Sequence, residues 1–176
     1  MTQDQAVRWL TGVERDAWQA YIVASLRLRQ RLHRELTDGH GVSLADYEVL
    51  VCLNVSPDKR ARMSELAYQL GSTKSRLSHQ VTKLEDAGLV RRGPDPDDKR
   101  GVITELTADG QRLLDEAAPT HLRGAREHLI DLLSPEEQAV VGAVFGRVLE
   151  HLDDVDNRRD TLSDREAWQS GRMQTP

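Results

Sequence analysis

Residues 73–85 are the part of the sequence in which side-chain types and spacing could do specific chemistry. At helical spacing, Leu77, Val81 and Leu84 form one apolar stripe. The opposite side carries hydroxyl, imidazole and cationic groups, with no carboxylate before Glu85: Ser75, Arg76, Ser78, His79, Thr82 and Lys83. Such donors and acceptors match base edges in a DNA major groove, where an acidic side chain would be repelled by phosphates.

Charge is distributed unevenly along the chain. The 176 residues carry a formal net charge of −5 at pH 7. Residues 60–101 nevertheless contain nine basic and six acidic side chains, a local charge of +3. Because the whole chain has no bulk attraction to nucleic acid, binding would depend on this local concentration of cations.

Two short helices and a hairpin are expected to position the cationic segment. Ser64 is expected to cap a helix over residues 65–70, Gly71 supplies a permissive turn, and Thr73 caps a second helix to about residue 87. Strands over 89–92 and 102–106 follow, joined by a loop over 93–101 with two prolines and two glycines. A helix-turn-helix followed by a basic hairpin is a winged helix, whose loop would bring Lys99 and Arg100 to the sugar-phosphate chain or minor groove.

Long amphipathic helices are predicted on both sides of this unit. Residues 13–38 contain no glycine or proline, repeat apolar residues at steps of three and four, and precede a break at 39–41. Ser43 is expected to cap a second helix. After Thr107, Pro119 should kink or break a long helical stretch, and Ser134 with Pro135 should restart it to about residue 152, beyond which the chain turns polar.

Several stretches resemble the winged helix-turn-helix of the MarR family of bacterial regulators, and the similarity covers about residues 14–152. They are Met63-Ser64-Glu65-Leu66-Ala67, Lys74-Ser75-Arg76-Leu77-Ser78, Lys83-Leu84-Glu85-Asp86-Ala87-Gly88-Leu89-Val90-Arg91-Arg92, the wing sequence Asp97-Asp98-Lys99-Arg100-Gly101 and the joint Leu106-Thr107-Ala108-Asp109-Gly110. Ser72 departs from the family, which usually has an apolar residue there.

The expected fold is therefore mainly α with a small β-hairpin wing (α+β): a winged helix-turn-helix with long N- and C-terminal dimerisation helices. The expected divisions are an N-terminal dimerisation helix over 1–38, the DNA-binding winged helix-turn-helix over 39–106, C-terminal dimerisation helices over 107–152 and a polar tail over 153–176. The resemblance implies a homodimeric transcription regulator, expected to be a repressor, on a pseudo-palindromic operator.

The resemblance also assigns roles by position. Base edges would be contacted by Ser75, Arg76, Ser78 and His79, and phosphates by Thr73, Lys74, Lys83 and Arg92. Lys99 and Arg100 would form the wing tip, although Arg100 could instead brace the wing through Asp98. No cofactor is implied. Release of DNA by a small phenolic or acidic effector, or by thiol oxidation, is usual in the family, and a form without an effector remains open.

Two groups of residues admit both an effector-binding and a plain structural interpretation. Trp18 and Tyr21 could line an effector pocket, but aromatic residues at helical spacing are more often core. Arg27, Arg31 and Arg34 share a helix face and could bind an acidic effector or stabilise a dimer. A solvated face beside acidic residues is the more ordinary interpretation of those arginines.

Cysteine and histidine give no strong signal for redox or metal chemistry. Cys52 lies among apolar residues without an adjacent cation, which favours a structural thiol over a redox sensor. As the single cysteine, it also excludes an intrachain disulfide. His121 and His128 are two helical turns apart, too far to share a metal ion without other ligands, so no metal site is expected.

Other function classes find little support. No apolar run approaches the ~20 residues of a membrane span, and the first residues lack the pattern of a signal peptide, so a cytoplasmic protein is expected. No nucleophile elbow, phosphate loop or dinucleotide fingerprint is present, so we expect no enzyme. The alternative is a helical dimeric scaffold or small-molecule-binding protein without sequence-specific DNA binding. It would explain the long helices but not the acid-free helix face or the basic wing.

Overall fold

A computed structural model describes residues 7–95 and 101–169, with side chains described as far as residue 156. The chain divides into two units, Met1–Leu129 and Ile130–Pro176. The first contains α1 (Gly12–His40), α2 (Leu44–Val55), β1 (Arg60–Arg62), α3 (Met63–Gln69), α4 (Lys74–Asp86), β2 (Val90–Pro94), β3 (Val102–Leu106) and α5 (Ala108–His128). The second contains a 3-10 turn at Ile130–Leu132 and α6 (Pro135–Gln169). The predicted mainly α architecture with a small sheet is confirmed.

Most helix ends follow from local capping chemistry. The hydroxyl oxygens of Ser43, Thr73 and Thr107 each accept a hydrogen bond from the amide three residues later, as predicted. Helix α1 ends where Gly41 adopts a left-handed φ of 67° and donates its N–H to the Thr37 carbonyl. These ends set the directions in which the chain enters α2, α4 and α5.

Three helix boundaries differ from the sequence-based expectations. Helix α3 begins at Met63, so Ser64 is not its cap; the Arg62 amide instead donates to the Glu65 carboxylate. Helix α5 is continuous through Pro119, which is exposed, so water can reach the backbone that proline leaves unpaired. Helix α6 continues to Gln169 because residues 147–169, although polar, contain no helix-breaking glycine or proline.

The sheet has three antiparallel strands in the order β1-β3-β2. Thr104 at its centre pairs with Ala61 on one side and with Arg92 on the other. The hairpin of β2 and β3 was predicted, whereas β1 was not. Three residues are too few to show the alternation of apolar and polar residues by which a strand is identified in a sequence.

The core of the first unit surrounds the inner face of α4. Leu77 and Val81 have no exposed surface and Leu84 is nearly as buried, which confirms the predicted apolar stripe. They belong to one apolar cluster with side chains from α1, α2, α3, β2 and α5: Leu32, Leu36, Leu50, Leu66, Val90 and Leu114. Since α4 is fixed on this core, its opposite face must point to solvent.

The first half of α1 does not belong to that core. Every residue from Gly12 to Tyr21 is exposed, and the first buried side chain of the helix is Leu32. Trp18 and Tyr21 are 56% and 45% exposed, so the expectation that they are core residues of the chain is wrong. Their rings lie 6.1 Å apart on the helix surface.

A close backbone contact fixes α5 against the end of the helix-turn-helix. A Cβ atom at Gly110 would lie 2.1 Å from the Leu89 carbonyl oxygen and 2.8 Å from Leu106 Cδ1. The Leu89 carbonyl belongs to the backbone directly before β2 and cannot move without displacing that strand. Gly110 is therefore required by space rather than by its backbone conformation.

We expect Gly110→Ala to destabilise the protein by about 1–3 kcal/mol, because the added methyl group overpacks a rigid contact. Urea unfolding at one fixed protein concentration measures the change. Gly39→Ala is the matched control, since nothing lies within 4 Å of its Cβ position near the end of α1. That control should stay within about 1 kcal/mol of the wild type or be slightly more stable. Equal stabilities for the two variants would contradict the contact.

Candidate nucleic-acid interface

Helices α3 and α4 form a helix-turn-helix whose turn is residues 70–72. Gly71 adopts a left-handed φ of 56°, which a residue with a side chain rarely tolerates. The Ser72 amide donates to the Ala67 carbonyl and the Gly71 amide to the Tyr68 carbonyl, so the turn is closed by backbone hydrogen bonds. The turn therefore holds the start of α4 at a fixed angle to α3.

The outward face of α4 contains the side chains predicted to contact base edges. Ser75, Arg76 and His79 are exposed, and Ser78 is partly exposed beside them. Within the described part of the chain, none of these four side chains forms a hydrogen bond or an ion pair with the protein. Their donors and acceptors are available to a ligand.

Thr73 and Lys74 lie at the N-terminal end of the same face, and both are exposed. The Thr73 hydroxyl oxygen accepts a hydrogen bond from the Arg76 amide, and the hydroxyl proton remains available for donation. The helix N-terminus adds a partial positive charge at this end. The geometry therefore suits an anion near Thr73 and Lys74.

Lys83 is held by a carboxylate of the protein. Its ammonium donates to Oδ2 of Asp46 on α2 at 2.6 Å. The Asp46 side chain is 6% exposed, whereas that of Lys83 is 69% exposed. The predicted phosphate ligand Lys83 is thus also one half of an ion pair between α2 and α4.

Arg92 on β2 is bound in a similar way. Its amide and its Nε both donate to the Glu85 carboxylate, at 3.0 and 2.7 Å, and its Nη2 donates to the Thr82 hydroxyl at 2.8 Å. These hydrogen bonds hold the pKa of Glu85 below its ordinary value. Arg92 therefore ties the base of the wing to the last turns of α4.

The described part of the wing shows charge pairing near its base. Arg62 forms an ion pair with Asp95, a carboxylate that is almost fully buried, and the Asp95 amide donates to the Gly101 carbonyl. Arg91 pairs with Glu105 across the hairpin, which raises the pKa of the guanidinium. Lys99 and Arg100, predicted to form the wing tip, lie outside the described residues.

A cavity of about 350 Å³ lies in the first unit, between α1, α2, α3 and α5. Its lining residues are Arg29, Tyr47, Glu48, Val51, Cys52, Gln69, Leu70 and His121. Both Nη atoms of Arg29 donate to the Glu48 carboxylate, at 2.7 and 2.9 Å, which raises the pKa of Arg29. The cavity is therefore polar at one side, but its one guanidinium is already neutralised.

The cavity lining also contains an aromatic pair. The rings of Tyr47 and His121 lie 4.8 Å apart. Burial raises the pKa of Tyr47 and lowers that of His121, so both groups are neutral at physiological pH. His121 Nδ1 is buried and has no hydrogen-bond partner among the described atoms. Trp18 and Tyr21, which the sequence offers as possible effector-pocket residues, do not line this cavity.

Cys52 lines the same cavity and is partly buried. Burial, and to a lesser extent the nearby Glu48 carboxylate, raise the pKa of its thiol. A raised pKa keeps the thiol protonated and slow to oxidise, which supports the structural interpretation. Among the described residues, no three His, Cys, Asp or Glu side chains are grouped so as to hold a metal ion. Over the same residues, no helix combines the length and apolar character needed to cross a membrane.

Sequence reasoning missed two carboxylates that shape the candidate interface. Asp46 lies three residues after Ser43, the cap of α2. An acidic residue at this position is ordinary in a first helical turn, so the sequence alone does not single it out. Glu85 ends the acid-free stretch of α4 and was not linked to Arg92. Glu85 and Arg92 are seven residues apart and meet because the chain turns between α4 and β2. The spacing of residues in the sequence does not specify the geometry of that turn.

The MarR family model matches residues 42–102 of this chain. AbsC, a MarR family transcriptional regulator from Streptomyces coelicolor, has a crystal structure 39% identical in sequence, with a TM-score of 0.78 over 84% of this chain and 99% of that one. Sco3205, a MarR family transcriptional regulator from the same organism, was crystallised in complex with DNA. It is 41% identical, with a TM-score of 0.79 over 85% of this chain and 93% of that one.

Among curated proteins, the HTH-type transcriptional regulator PecS of Dickeya dadantii is 36% identical over 54% of this chain and 55% of its own length. The transcriptional regulator HosA of Escherichia coli is 42% identical over 38% of this chain and 49% of its own length. The chain thus spans about half the length of these curated relatives. Because it matches AbsC and Sco3205 over nearly their whole lengths, the chain belongs to the MarR family of transcriptional regulators.

Proposed function

We propose that this chain binds double-stranded DNA as a sequence-specific regulator of transcription and has no catalytic activity of its own. The observation that carries the proposal is the outward face of the first two turns of α4, where four polar side chains are exposed or partly exposed and have no partner in the described protein. Ser75, Arg76, Ser78 and His79 contact base edges in the major groove. Thr73 and Lys74 hold a phosphate at the helix N-terminus.

The protein acts as a homodimer and, in the simplest case, represses by occupying its operator. Each unit separately exposes apolar side chains that water solvates poorly. The first carries them on α1 and the second on α6: Val13, Trp18, Tyr21, Leu26, Val140, Val144, Phe145, Val148, Leu149 and Leu152. Exposed apolar surface on this scale is typical of an interface. A twofold dimer presents two α4 helices to successive major grooves, ~34–36 Å apart.

A small effector that releases DNA is a second element of the proposal, and the 350 Å³ cavity favours a phenol over an acid. Glu48 already neutralises Arg29, so a carboxylate would enter without an unpaired cation to receive it. The Tyr47 and His121 rings offer apolar contact. Because both groups are neutral, they add no charge that would favour an acid. An effector acts by favouring one spacing of the two α4 helices.

Selection of bound fragments from random DNA with the full-length protein tests the central proposal. We expect an inverted repeat whose half-site centres are about one helical turn apart. Retention of DNA without enrichment of any sequence would contradict sequence-specific regulation and favour a helical scaffold or small-molecule-binding protein.

On the selected operator, we expect Arg76→Ala to cost about 1–3 kcal/mol and to relax the preference at one base position, because a bidentate contact to a base is lost. Binding to a set of single-base operator variants measures both effects. Arg123→Ala removes the same charge from α5, outside the helix-turn-helix, and should leave the preference unchanged. An equal loss on operator and random DNA would make Arg76 a phosphate contact.

Phenol should weaken operator binding by at least about fivefold, within the usual range of coupling between two sites, and benzoate should act less strongly. Val51→Trp fills the cavity and should abolish the effect of phenol. Val55→Trp is the control on the same helix, because Val55 is exposed and does not line the cavity. Fluorescence anisotropy of labelled operator measures release. An unchanged response in Val51→Trp would place the effector elsewhere.

A further inference from the structure

We propose that Asp46 is a positioning residue for the DNA-reading helix α4, and that Lys83 acts through Asp46 rather than by neutralising a phosphate. The proposal rests on the DNA-binding function proposed above. It departs from the expectation that Lys83 is a phosphate ligand. The evidence is the place of the pair in the fold, the unequal burial of its members and the edge of α4 on which Lys83 lies.

The pair links two helices of the first unit, α2 and α4. Asp46 lies in the first turn of α2, where its amide donates to Ser43 Oγ, so the residue is fixed by the helix cap. Lys83 lies in the third turn of α4 and reaches across to the Asp46 carboxylate at 2.6 Å. The ion pair therefore fastens the C-terminal half of α4 to the capped start of α2.

The unequal burial decides which partner Lys83 keeps. The Asp46 side chain is 6% exposed, whereas that of Lys83 is 69% exposed. A phosphate that captured the ammonium would leave a buried carboxylate without its counter-charge, which is strongly unfavourable. Lys83 itself would lose little by staying, because the contact is short and charge-assisted. The ion pair is thus expected to persist on DNA.

Lys83 also lies on the edge of α4 that faces α2. Arg76, Gln80 and Lys83 follow one another at helical spacing, and Arg76 and Gln80 line a cleft of about 340 Å³ together with Ala45 and Glu48 of α2. The buried stripe sets how α4 packs, and the ion pair fixes its polar edge. If loss of the ion pair let this edge of α4 move relative to α2, Arg76 would be displaced. Arg76 is the strongest candidate for contact with a base.

Four proteins test the proposal on the selected operator: the wild type, Asp46→Asn, Lys83→Gln and the double variant. Each single variant should weaken operator binding roughly tenfold, and the double variant should bind about as weakly as either single one, since contacting residues are coupled. Binding to random DNA, and the slope of log K against log salt, should remain those of the wild type. Lys83→Arg, which can restore the ion pair, should recover most of the affinity.

Several results would overturn the proposal. If Lys83→Gln weakens operator and random DNA alike and flattens the salt slope by about 0.9, Lys83 is a phosphate ligand. In that case Asp46→Asn should strengthen binding. Single variants that bind as the wild type does, or losses that multiply in the double variant, would equally exclude a positioning pair.

Controls separate this test from a failure of folding or of the proposed function. Arg112→Gln breaks an exposed ion pair with Asp109 within α5 and should leave operator binding unchanged. If urea unfolding shows that Asp46→Asn does not fold, Lys83→Gln and Lys83→Arg decide the question by their operator affinities and salt slopes. If the wild type selects no sequence, the proposed function is contradicted. If the wild type selects an operator and the variants bind it equally well, only the proposed role of the Asp46–Lys83 pair is contradicted.

Discussion

Burial of one stripe of α4 is the constraint on which the rest of the candidate interface depends. Leu77 and Val81 are fully buried. They belong to an apolar cluster to which every other helix and strand of the first unit contributes at least one side chain. A helix with one stripe fixed in a core cannot rotate without exposing it. The polar side chains on the other face are consequently presented to solvent as a set. The core beneath α4 therefore fixes the backbone positions from which these side chains extend.

Charge adds a second level of order to this surface. The cations near the first turn of α4, Lys74 and Arg76, have no carboxylate partner in the described protein, whereas Lys83 and Arg92 near its end are bound by Asp46 and Glu85. Free cations attract phosphates and carry the salt dependence of binding. Cations that are paired with a carboxylate contribute less to phosphate binding and to its salt dependence. Their ion pairs instead connect α4 to α2 and to β2. A count of basic residues alone would treat the two groups as equivalent.

The sequence was sufficient for the helices, the wing strands and the outward face of α4, because periodicity and capping residues report directly on local structure. The stripe of Leu77, Val81 and Leu84 and the caps at Ser43, Thr73 and Thr107 are of this kind. It was insufficient for β1, for the Asp46–Lys83 and Glu85–Arg92 pairs, and for the Tyr47–His121 cavity. Those features join residues distant in sequence, so their formation depends on the tertiary packing. The expectation that Trp18 is a core residue was wrong for a related reason: periodicity identifies an apolar helix face but does not show what covers it.

Helix α2 contacts both the cavity of the proposed effector and α4, the helix that we propose reads DNA. Its successive residues contact both regions: Asp46 binds Lys83 of α4, whereas Tyr47 and Glu48 line the cavity. A ligand in the cavity can alter DNA binding only if it binds more tightly to one position of α2 than to another. Because Asp46 is joined to Lys83 by a short ion pair, a shift or rotation of α2 would be carried to the polar edge of α4. The ion pair that we propose to order α4 for DNA would thus also make the position of α4 sensitive to the cavity.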